Sequence, residues 1–321
     1  MKKKFFLLQL LSVISGFAFS QHFAVAKSGV FTPQQKKVLL LKDTALNKSL
    51  ILFKTNLHVN TDGTPLSYHP FDLNGDEKAL NNICNAVAVR KDGSNKNLCL
   101  SKETYKEALS VFARFRDSGF LKLPTGYSIT WENVLVPQMV DGKKVPCVIK
   151  SGEYEGYFGS ATSLRNGLSS DKGECDCNDQ VNPLKIPALV LVGGSNNIVR
   201  KFGAKLGDLL IAYNPTNKHL VYAIINDFGP PNNLGEGSVL LNMKLRGDTT
   251  FPKKRKDTFK LSISSDIIIA VIPDSRTFQV EKPFTPENIT SRVEQWLREC
   301  GFQTGQAYID FLESSVVAKL K

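Results

Sequence analysis

Histidine is scarce in this chain of 321 residues, which has only four. They stand singly, at His22, His58, His69 and His219, and form no motif. The pattern G-x-S-x-G, which presents the nucleophile of many serine hydrolases, is also missing. The sequence therefore gives no support for a serine and histidine catalytic centre, and the candidates for chemistry are carboxylates.

Long hydrophobic runs are missing after residue 20. The first 20 residues combine Lys2, Lys3 and Lys4 with the apolar run FFLLQLLSVISGFAF, the pattern of a secretory signal peptide. Cleavage is expected after Ser20 or, at a second site with small residues, after Ala26. The run is shorter than the roughly 20 apolar residues of a spanning helix. We therefore expect a secreted protein, extracellular or periplasmic, without a stable membrane anchor.

No nucleic-acid-binding motif is recognisable, although the chain is basic. Lysine and arginine number 41 against 30 acids, a formal charge of +11, which falls to +8 when the three lysines of the signal are removed. The basic residues are scattered except in FPKKRKDTFK at 251–260, a run typical of a solvated loop. We predict no nucleic-acid partner, while affinity for an anionic wall polymer stays open.

Cysteine and metal motifs are limited. Cys84 and Cys99 are close enough in sequence to form a local disulfide, which an exported chain allows, but the remaining pairings stay open. The segment DKGECDCNDQ has no matching Cys or His pair at zinc spacing and indicates a disulfide-bearing acidic loop. The segment at 72–83 starts like a calcium loop, but Glu77 and Ile83 replace its glycine and glutamate. We predict no metal and no other cofactor.

Repeats and flexible linkers are also missing, so residues 21–321 are predicted to form a single domain and a monomer. Short apolar runs separated by turn residues predict strands in the early mature chain, through 186–245 and again near 265–275. Helical periodicity predicts helices over 101–118, over 286–300 and in the tail. Ser101 and Thr285 are the expected N-caps. The fold class is therefore α+β, mainly β: a small closed β-barrel with peripheral and C-terminal helices. The role of 101–147 stays open.

The segment AIINDFGPPNNLGEGSVLLN, residues 223–242, carries two acids in an unusual setting. Asp227 ends an apolar run at a Gly-Pro-Pro turn, and Glu236 stands between two glycines where the next apolar run begins. Taken alone, Asp227 could be a turn residue and Glu236 a surface acid. The stiff prolyl turn nevertheless favours placing both at one rim. Paired carboxyl groups are the working parts of most glycoside hydrolases.

Four segments together resemble the family 75 glycoside hydrolases, the fungal-type chitosanases. They are GYFGSATSL, KIPALVL, GDLLIAYN and VYAIINDFGP followed by GEGSVLLNMKL. The resemblance covers most of residues 50–300. It implies endo-hydrolysis of β-1,4-linked glucosamine with inversion, by Asp227 and Glu236, in a barrel of double-psi type. It favours Asp227 as the acid and Glu236 as the base, and the reverse assignment stays open.

Further residues are expected to bind a polysaccharide substrate. Aromatic rings beside the motif can stack on sugar rings, and acids in the groove would offset the basic net charge against a polycation such as chitosan. The predicted substrate contacts are Asp62, Tyr157, Phe158, Ser160, Asn226 and Phe228. The alternatives are hydrolysis of a peptidoglycan-type wall glycan, which the basic charge favours, and a glycan-binding barrel without catalysis.

Overall fold

A computed structural model describes residues 23–168, 175 and 177–320 of the chain, with residues 315–318 described by their backbone alone. The predicted signal peptide lies outside the described residues, apart from the region around the second cleavage site. Ala26 itself lies in the first strand, β1 (Ala24–Phe31).

The described strands form one large sheet and two small ones. After β1 they are β2 (Lys36–Asp43), β3 (Lys48–Asn60), β4 (Ala88–Lys91), β5 (Tyr127–Thr130), β6 (Pro137–Val140), β7 (Lys143–Pro146), β8 (Ala188–Leu191), β9 (Leu209–Asn214), β10 (His219–Phe228), β11 (Glu236–Ser238) and β12 (Ile263–Val271). The large sheet has the order β1-β2-β3-β11-β8-β10-β9-β12, and an additional pairing between β12 and β3 closes six of its strands into a barrel. The predicted closed barrel is confirmed.

The described α-helices are α1 (Tyr105–Asp117), α2 (Ile198–Lys201), α3 (Val239–Arg246), α4 (Arg255–Phe259), α5 (Pro286–Glu299) and α6 (Gly305–Phe311). Short 3-10 turns cover Thr32–Gln34, Ile83–Asn85, Leu98–Leu100, Ser275–Thr277 and Val317–Leu320, and a π-helical turn covers Leu312–Val316. None of the described helices is long and apolar enough to cross a membrane.

The barrel strands bury both of their faces. Because side chains alternate along a strand, Leu50 and Leu52 join one apolar cluster while Ile51 and Phe53 join another. The first cluster includes residues of α5 and α6, such as Trp296, so these helices pack on that face of the strands. The second lines the opposite face of the same strands. This two-sided burial explains why the strands appear in the sequence as continuous apolar runs rather than alternating patterns.

The predicted C-terminal helices are confirmed. Thr285 caps α5 by accepting a hydrogen bond from the Asn288 N–H, Asn288 returns a bond in a capping box, and Pro286 is the first helical residue. The predicted helix at 101–118 is also present, but Ser101 is not its N-cap. The helix begins at Tyr105, and Thr104 precedes it without a side-chain cap.

One strand prediction is wrong. The run GSVLLNMKL was expected to be a strand, but only Glu236–Ser238 is extended and the rest forms α3. Ser238 caps this helix by accepting a hydrogen bond from the Leu241 N–H. Val239 and Met243 join one apolar cluster, whereas Leu241 and Leu245 join another. A short helix buried on two sides shows no clear helical period, so its sequence resembles a buried strand.

Residues between β3 and β8 form a lobe with a core of its own. Its buried residues include Tyr68, Phe112 from α1, Trp131 and Phe158. The predicted disulfide between Cys84 and Cys99 is present. Segment 101–147, to which the sequence assigned no role, supplies much of this core, the strand β5 that pairs with β4, and the small sheet β6-β7.

Two further features of the lobe fit the sequence analysis. Cys147 and Cys175 form a disulfide, which supports a disulfide-bearing loop, and the Cys177 sulfur lies within 4.8 Å of both. Asp72, the first residue of the apparent calcium loop, accepts four hydrogen bonds from the backbone N–H groups of residues 76–79. This carboxylate therefore organises a turn of the chain.

Candidate functional site

The barrel holds Asp227 and Glu236 on opposite sides of one strand. Asp227 lies near the end of β10 and Glu236 begins β11, and both strands flank β8. Val190 of β8 is the register partner of Asp227 on one side and of Glu236 on the other. Because neighbouring strands are about 4.8 Å apart, two strand spacings separate the two acids, roughly 10 Å between their backbones. The predicted pair therefore meets at one edge of the barrel.

The Gly-Pro-Pro loop lies between the two acids. The Gly229 N–H donates to the Leu191 carbonyl at 2.8 Å. A β-carbon on Gly229 would lie 2.8 Å from a methyl group of Val190 and 3.3 Å from Glu236 Oε2. Only glycine fits this close approach without displacing a neighbour. The loop thus packs on Val190 and reaches the carboxyl group of Glu236.

Asp227 is held through one of its two oxygens. Oδ1 accepts hydrogen bonds from the Phe228 N–H at 2.8 Å, from the Ser163 N–H at 3.1 Å and from the Ser163 hydroxyl. Among the described residues no donor contacts Oδ2. Burial raises the pKa of Asp227 above its ordinary value, against the opposing effect of these three donors. Asp227 is therefore anchored by one oxygen, and its other oxygen can carry a proton.

Glu236 is held through both oxygens. Oε1 accepts from the Asn233 side-chain amide at 2.7 Å, and Oε2 accepts from the Asn60 side-chain amide at 3.2 Å. The orientation of Asn60 is fixed because its Oδ1 accepts the Asp62 backbone N–H at 2.8 Å. That N–H can only donate, so the nitrogen of the Asn60 amide faces Glu236. Both oxygens of Glu236 therefore accept hydrogen bonds from side-chain amides, an arrangement that suits a carboxylate.

Asp62 brings a third carboxyl group to the same place. It lies just beyond the end of β3, partly buried, and its Oδ1 accepts a hydrogen bond of 2.5 Å from the hydroxyl of Tyr68. Burial, and then the nearby negative charges of Asp227 and Glu236, raise the pKa of Asp62 to about 7, although the Tyr68 hydrogen bond opposes the shift. The predicted site residue Asp62 is thus within electrostatic range of both members of the pair.

No cationic side chain in the part of the chain that the structure describes forms an ion pair with these three acids. Among the ion pairs of the described residues, none includes Asp62, Asp227 or Glu236. Their oxygens do not all lie within 4.8 Å of one another, because the one described group of three ligand atoms with that spacing consists of cysteines. The site is therefore a spread anionic cluster that can accommodate a proton or a cationic group between its members.

Three of the predicted substrate contacts are wrong because their side chains are buried. Phe158 is fully buried in the core of the lobe, with its ring 6.1 Å from that of Phe112. Ser160 is 1% exposed, and its hydroxyl accepts the Gly63 N–H at 2.9 Å, which positions the loop that carries Asp62. Asn226 is 2% exposed in β10. Of the three, Ser160 supports the site from below the surface, through its hydrogen bond to Gly63.

The two remaining predicted contacts are at the surface. Phe228 follows Asp227 directly, is 43% exposed and lies with its ring 5.1 Å from the Arg200 guanidinium. Tyr157 is half-buried and meets the ring of His69 edge-on, with 4.9 Å between the ring centres. Phe228 is thus an exposed aromatic ring beside the acid pair, whereas Tyr157 lies in the lobe. Both substrate contacts stay predictions.

The different burial of the two phenylalanines gives a direct test. Phe158→Ala removes a fully buried ring, which is expected to destabilise the fold by about 3–5 kcal/mol. Phe228→Ala removes an exposed ring and is expected to change stability by less than about 0.5 kcal/mol. Urea unfolding of both variants measures the difference. Equal stabilities would contradict the burial of Phe158.

Four residues that hold the acids were not predicted from the sequence: Asn60, Tyr68, Ser163 and Asn233. Asn233 lies three residues before Glu236, so its amide could have been proposed as a neighbour from local spacing alone. Tyr68 lies only six residues from Asp62, the acid that it holds. Asn60 lies 176 residues from Glu236, and Ser163 lies 64 residues from Asp227. Only the closure of the barrel and the packing of the lobe bring Asn60 and Ser163 to the acids, and no local sequence pattern predicts such contacts.

No protein-family model matches the chain, and no curated protein matches it. Any function is therefore inferred from the site itself.

Proposed function

We propose that this protein is a secreted endo-acting glycoside hydrolase that cleaves β-1,4 bonds of chitosan or a related amino-sugar polymer with inversion. The observation that supports this most is the placement of Asp227 and Glu236 on two strands that flank a third, with a glycine loop between them. Two carboxyl groups facing each other across a short gap are what acid and base catalysis of glycoside cleavage requires.

The hydrogen bonds favour one assignment of roles. Asp227 uses Oδ1 as an acceptor and leaves Oδ2 to carry the proton that is given to the leaving oxygen. Glu236 accepts at both oxygens and takes a proton from the attacking water. The raised pKa of Asp227 supports its role as the acid, because a general acid must hold its proton near the working pH.

The strand register favours inversion. Inverting enzymes separate their carboxyl groups by roughly 6.5–9.5 Å, which leaves room for a water molecule, whereas retaining enzymes bring them to about 5 Å. Acids separated by two strand spacings, with the Gly229 loop between them, fit the larger separation better.

Chitosan is cationic, which makes it complementary to the negative charge of the acids at the site. The protein as a whole is basic, but the three acids of the site have no cationic partner among the described residues. Distant lysines are screened, since the Debye length is about 8 Å at physiological salt. An ammonium-bearing sugar therefore meets an anionic cluster at the point of cleavage.

The purified secreted form should release reducing ends from soluble chitosan. Proton NMR during the first minutes should show the anomer opposite to that of the substrate bond, as inversion requires. Chitosans of graded acetylation give the bond preference. Failure to cleave any of them, with an intact fold by circular dichroism, would refute the proposal.

The net basic charge supports a second candidate, hydrolysis of an anionic peptidoglycan-type wall glycan. Parallel assays on purified peptidoglycan separate the two, because faster turnover of peptidoglycan would displace chitosan as the substrate. Saturable binding of either polymer without product would instead indicate a glycan-binding barrel.

A further inference from the structure

We infer that the protein carries a second binding site, for a carboxylate-bearing polysaccharide, on the basic surface formed by residues 246–260. This surface runs from the C-terminal end of α3 through α4. The inference is independent of the proposed hydrolysis, because binding there needs neither Asp227 nor Glu236.

A cavity of about 540 Å³ opens in the basic surface, lined by residues 246–253 together with Asp257, Lys260 and Leu261. Phe251 belongs to this lining and is 48% exposed. Thr249 and Thr250 beside it are exposed as well. An aromatic ring next to hydroxyl groups and cations can stack on a sugar ring and bind its polar substituents.

The charges of the basic surface favour an anionic ligand. The surface contains six cations and two acids. Both acids are already paired within it: Arg246 Nε lies 2.5 Å from Asp248 Oδ2, and Lys260 Nζ lies 3.2 Å from Asp257 Oδ1. Four cations remain, at positions 253–256, and none of them takes part in an ion pair among the described residues. The excess positive charge is therefore available to a ligand.

The helix α4 holds part of this charge in a fixed place. The Arg255 N–H donates to two backbone carbonyls of the lobe, at 2.9 and 3.1 Å, and its guanidinium lies 4.9 Å from the centre of the Phe259 ring. Arg255 thus attaches α4 to the lobe. Lys256 and Lys260 are both exposed and lie one helical turn apart, on the same face. The basic run, expected from the sequence to be a solvated loop, is therefore partly helical and ordered by its contacts.

The basic surface is separate from the acid pair. The helix α3 begins three residues after Glu236, and its other end, at Arg246, reaches the cavity. The eight residues of this helix span roughly 12 Å. Gly247 approaches His219 at the start of β10, whereas Asp227 lies near the end of that strand. Because the Debye length is about 8 Å at physiological salt, the basic surface can bind a polyanion while the acid cluster keeps its own charge.

The mixture of charges with an exposed ring favours a polysaccharide with spaced carboxylates. Duplex DNA carries one negative charge per about 1.7 Å of its axis, and the two acids of the basic surface oppose so dense a polyanion. A membrane requires an apolar face that enters the lipid, whereas threonines and ion-paired acids line this cavity. A polymer of sugar acids offers a ring face to Phe251 and a carboxylate to the cations around it.

Binding of polygalacturonate, a polymer of a carboxylate-bearing sugar, to the mature protein tests the inference by isothermal titration calorimetry. The triple substitution Lys253→Gln, Lys256→Gln and Lys260→Gln should weaken binding by about tenfold at low salt, since each exposed charge contributes little but the three effects add. The difference should vanish in about 1 M salt, where the Debye length is about 3 Å.

A matched control removes the same charge elsewhere. Lys102, Lys106 and Lys122 are exposed lysines of the lobe that take part in none of the ion pairs of the described residues. Replacing these three by glutamine should change binding by less than about twofold. Phe251→Ala should weaken binding by roughly threefold or more at each salt concentration at which the wild type binds, because stacking is not screened by salt.

Equal binding by the triple variant and its control would overturn the inference, and so would tighter binding of duplex DNA or of anionic phospholipid vesicles than of polygalacturonate. If circular dichroism shows that the triple variant does not fold, Phe251→Ala decides, and unchanged binding in that variant overturns the site. Cleavage of soluble chitosan should stay within about twofold of the wild type in these variants. Loss of polygalacturonate binding with intact cleavage supports the site, and a wild type that binds polygalacturonate without cleaving chitosan refutes the proposed function alone.

Discussion

Glu236→Gln is expected to lower kcat on soluble chitosan by about 10²–10⁴-fold, the usual contribution of a positioned acid or base. The amide keeps the size of the side chain and an oxygen acceptor, but it cannot take a proton from water. Asp227→Asn should have a similar effect on the polymer. Release of reducing ends measures both.

The two variants should differ on a substrate with a good leaving group. A chito-oligosaccharide carrying a nitrophenyl aglycone needs little help from an acid, so Asp227→Asn should recover much of its activity there. Glu236→Gln should not, because water must still be activated. The reverse pattern would exchange the roles of the two acids.

A matched control is available in Glu155, an exposed acid of the lobe. Glu155→Gln changes the net charge by the same amount and should leave kcat within about twofold, since exposed substitutions rarely perturb the rest of a protein. Wild-type activity in Glu236→Gln, with an unchanged melting temperature, would remove that residue from the chemistry.

The barrel and its C-terminal helices were predictable because their signals are local. The strand β3 and the strand pair β9 and β10 are apolar runs bounded by turn residues. The start of α5 is marked by Thr285 and Pro286. The helix α3 was not predictable in this way, because its apolar residues face two clusters and its N-cap, Ser238, also ends a strand.

The acid pair was predictable from one segment of 20 residues, but its support was not. Asn60 and Ser163 reach the acids from distant parts of the chain, through barrel closure and the packing of the lobe. The sequence also did not show which aromatic side chains are buried. Phe158 and Phe228 both neighbour polar segments in the sequence, yet one lies in a core and the other at the surface. The exposure of a side chain depends on the residues that pack against it, and these residues lie in other segments of the chain.

The two glycines around Glu236 have a structural explanation that leads to the strongest stability prediction. Gly235 has a φ of +124°, a backbone conformation open to glycine alone, and a β-carbon there would lie 2.2 Å from the Asn56 carbonyl oxygen. Its own carbonyl accepts the His58 N–H at 2.9 Å. A β-carbon on Gly237 would lie 2.2 Å from the side-chain oxygen of Asn242. Glu236 is thus the first residue of β11, at a point where the chain packs closely against β3 and α3.

Gly235→Ala is therefore expected to destabilise the fold by about 2–5 kcal/mol, because it adds backbone strain to a contact with rigid backbone. Urea unfolding measures this loss. The segment must move away from β3, which also displaces Glu236, and a shift of about 1 Å can lower activity by about 10²-fold.

Gly142→Ala is the matched control: Gly142 has a φ of +73° but nothing within 4 Å of the added carbon. It should lose only about 1 kcal/mol and keep its activity. Equal losses in the two variants would show that backbone conformation alone, and not the contact with β3, explains the glycine before Glu236.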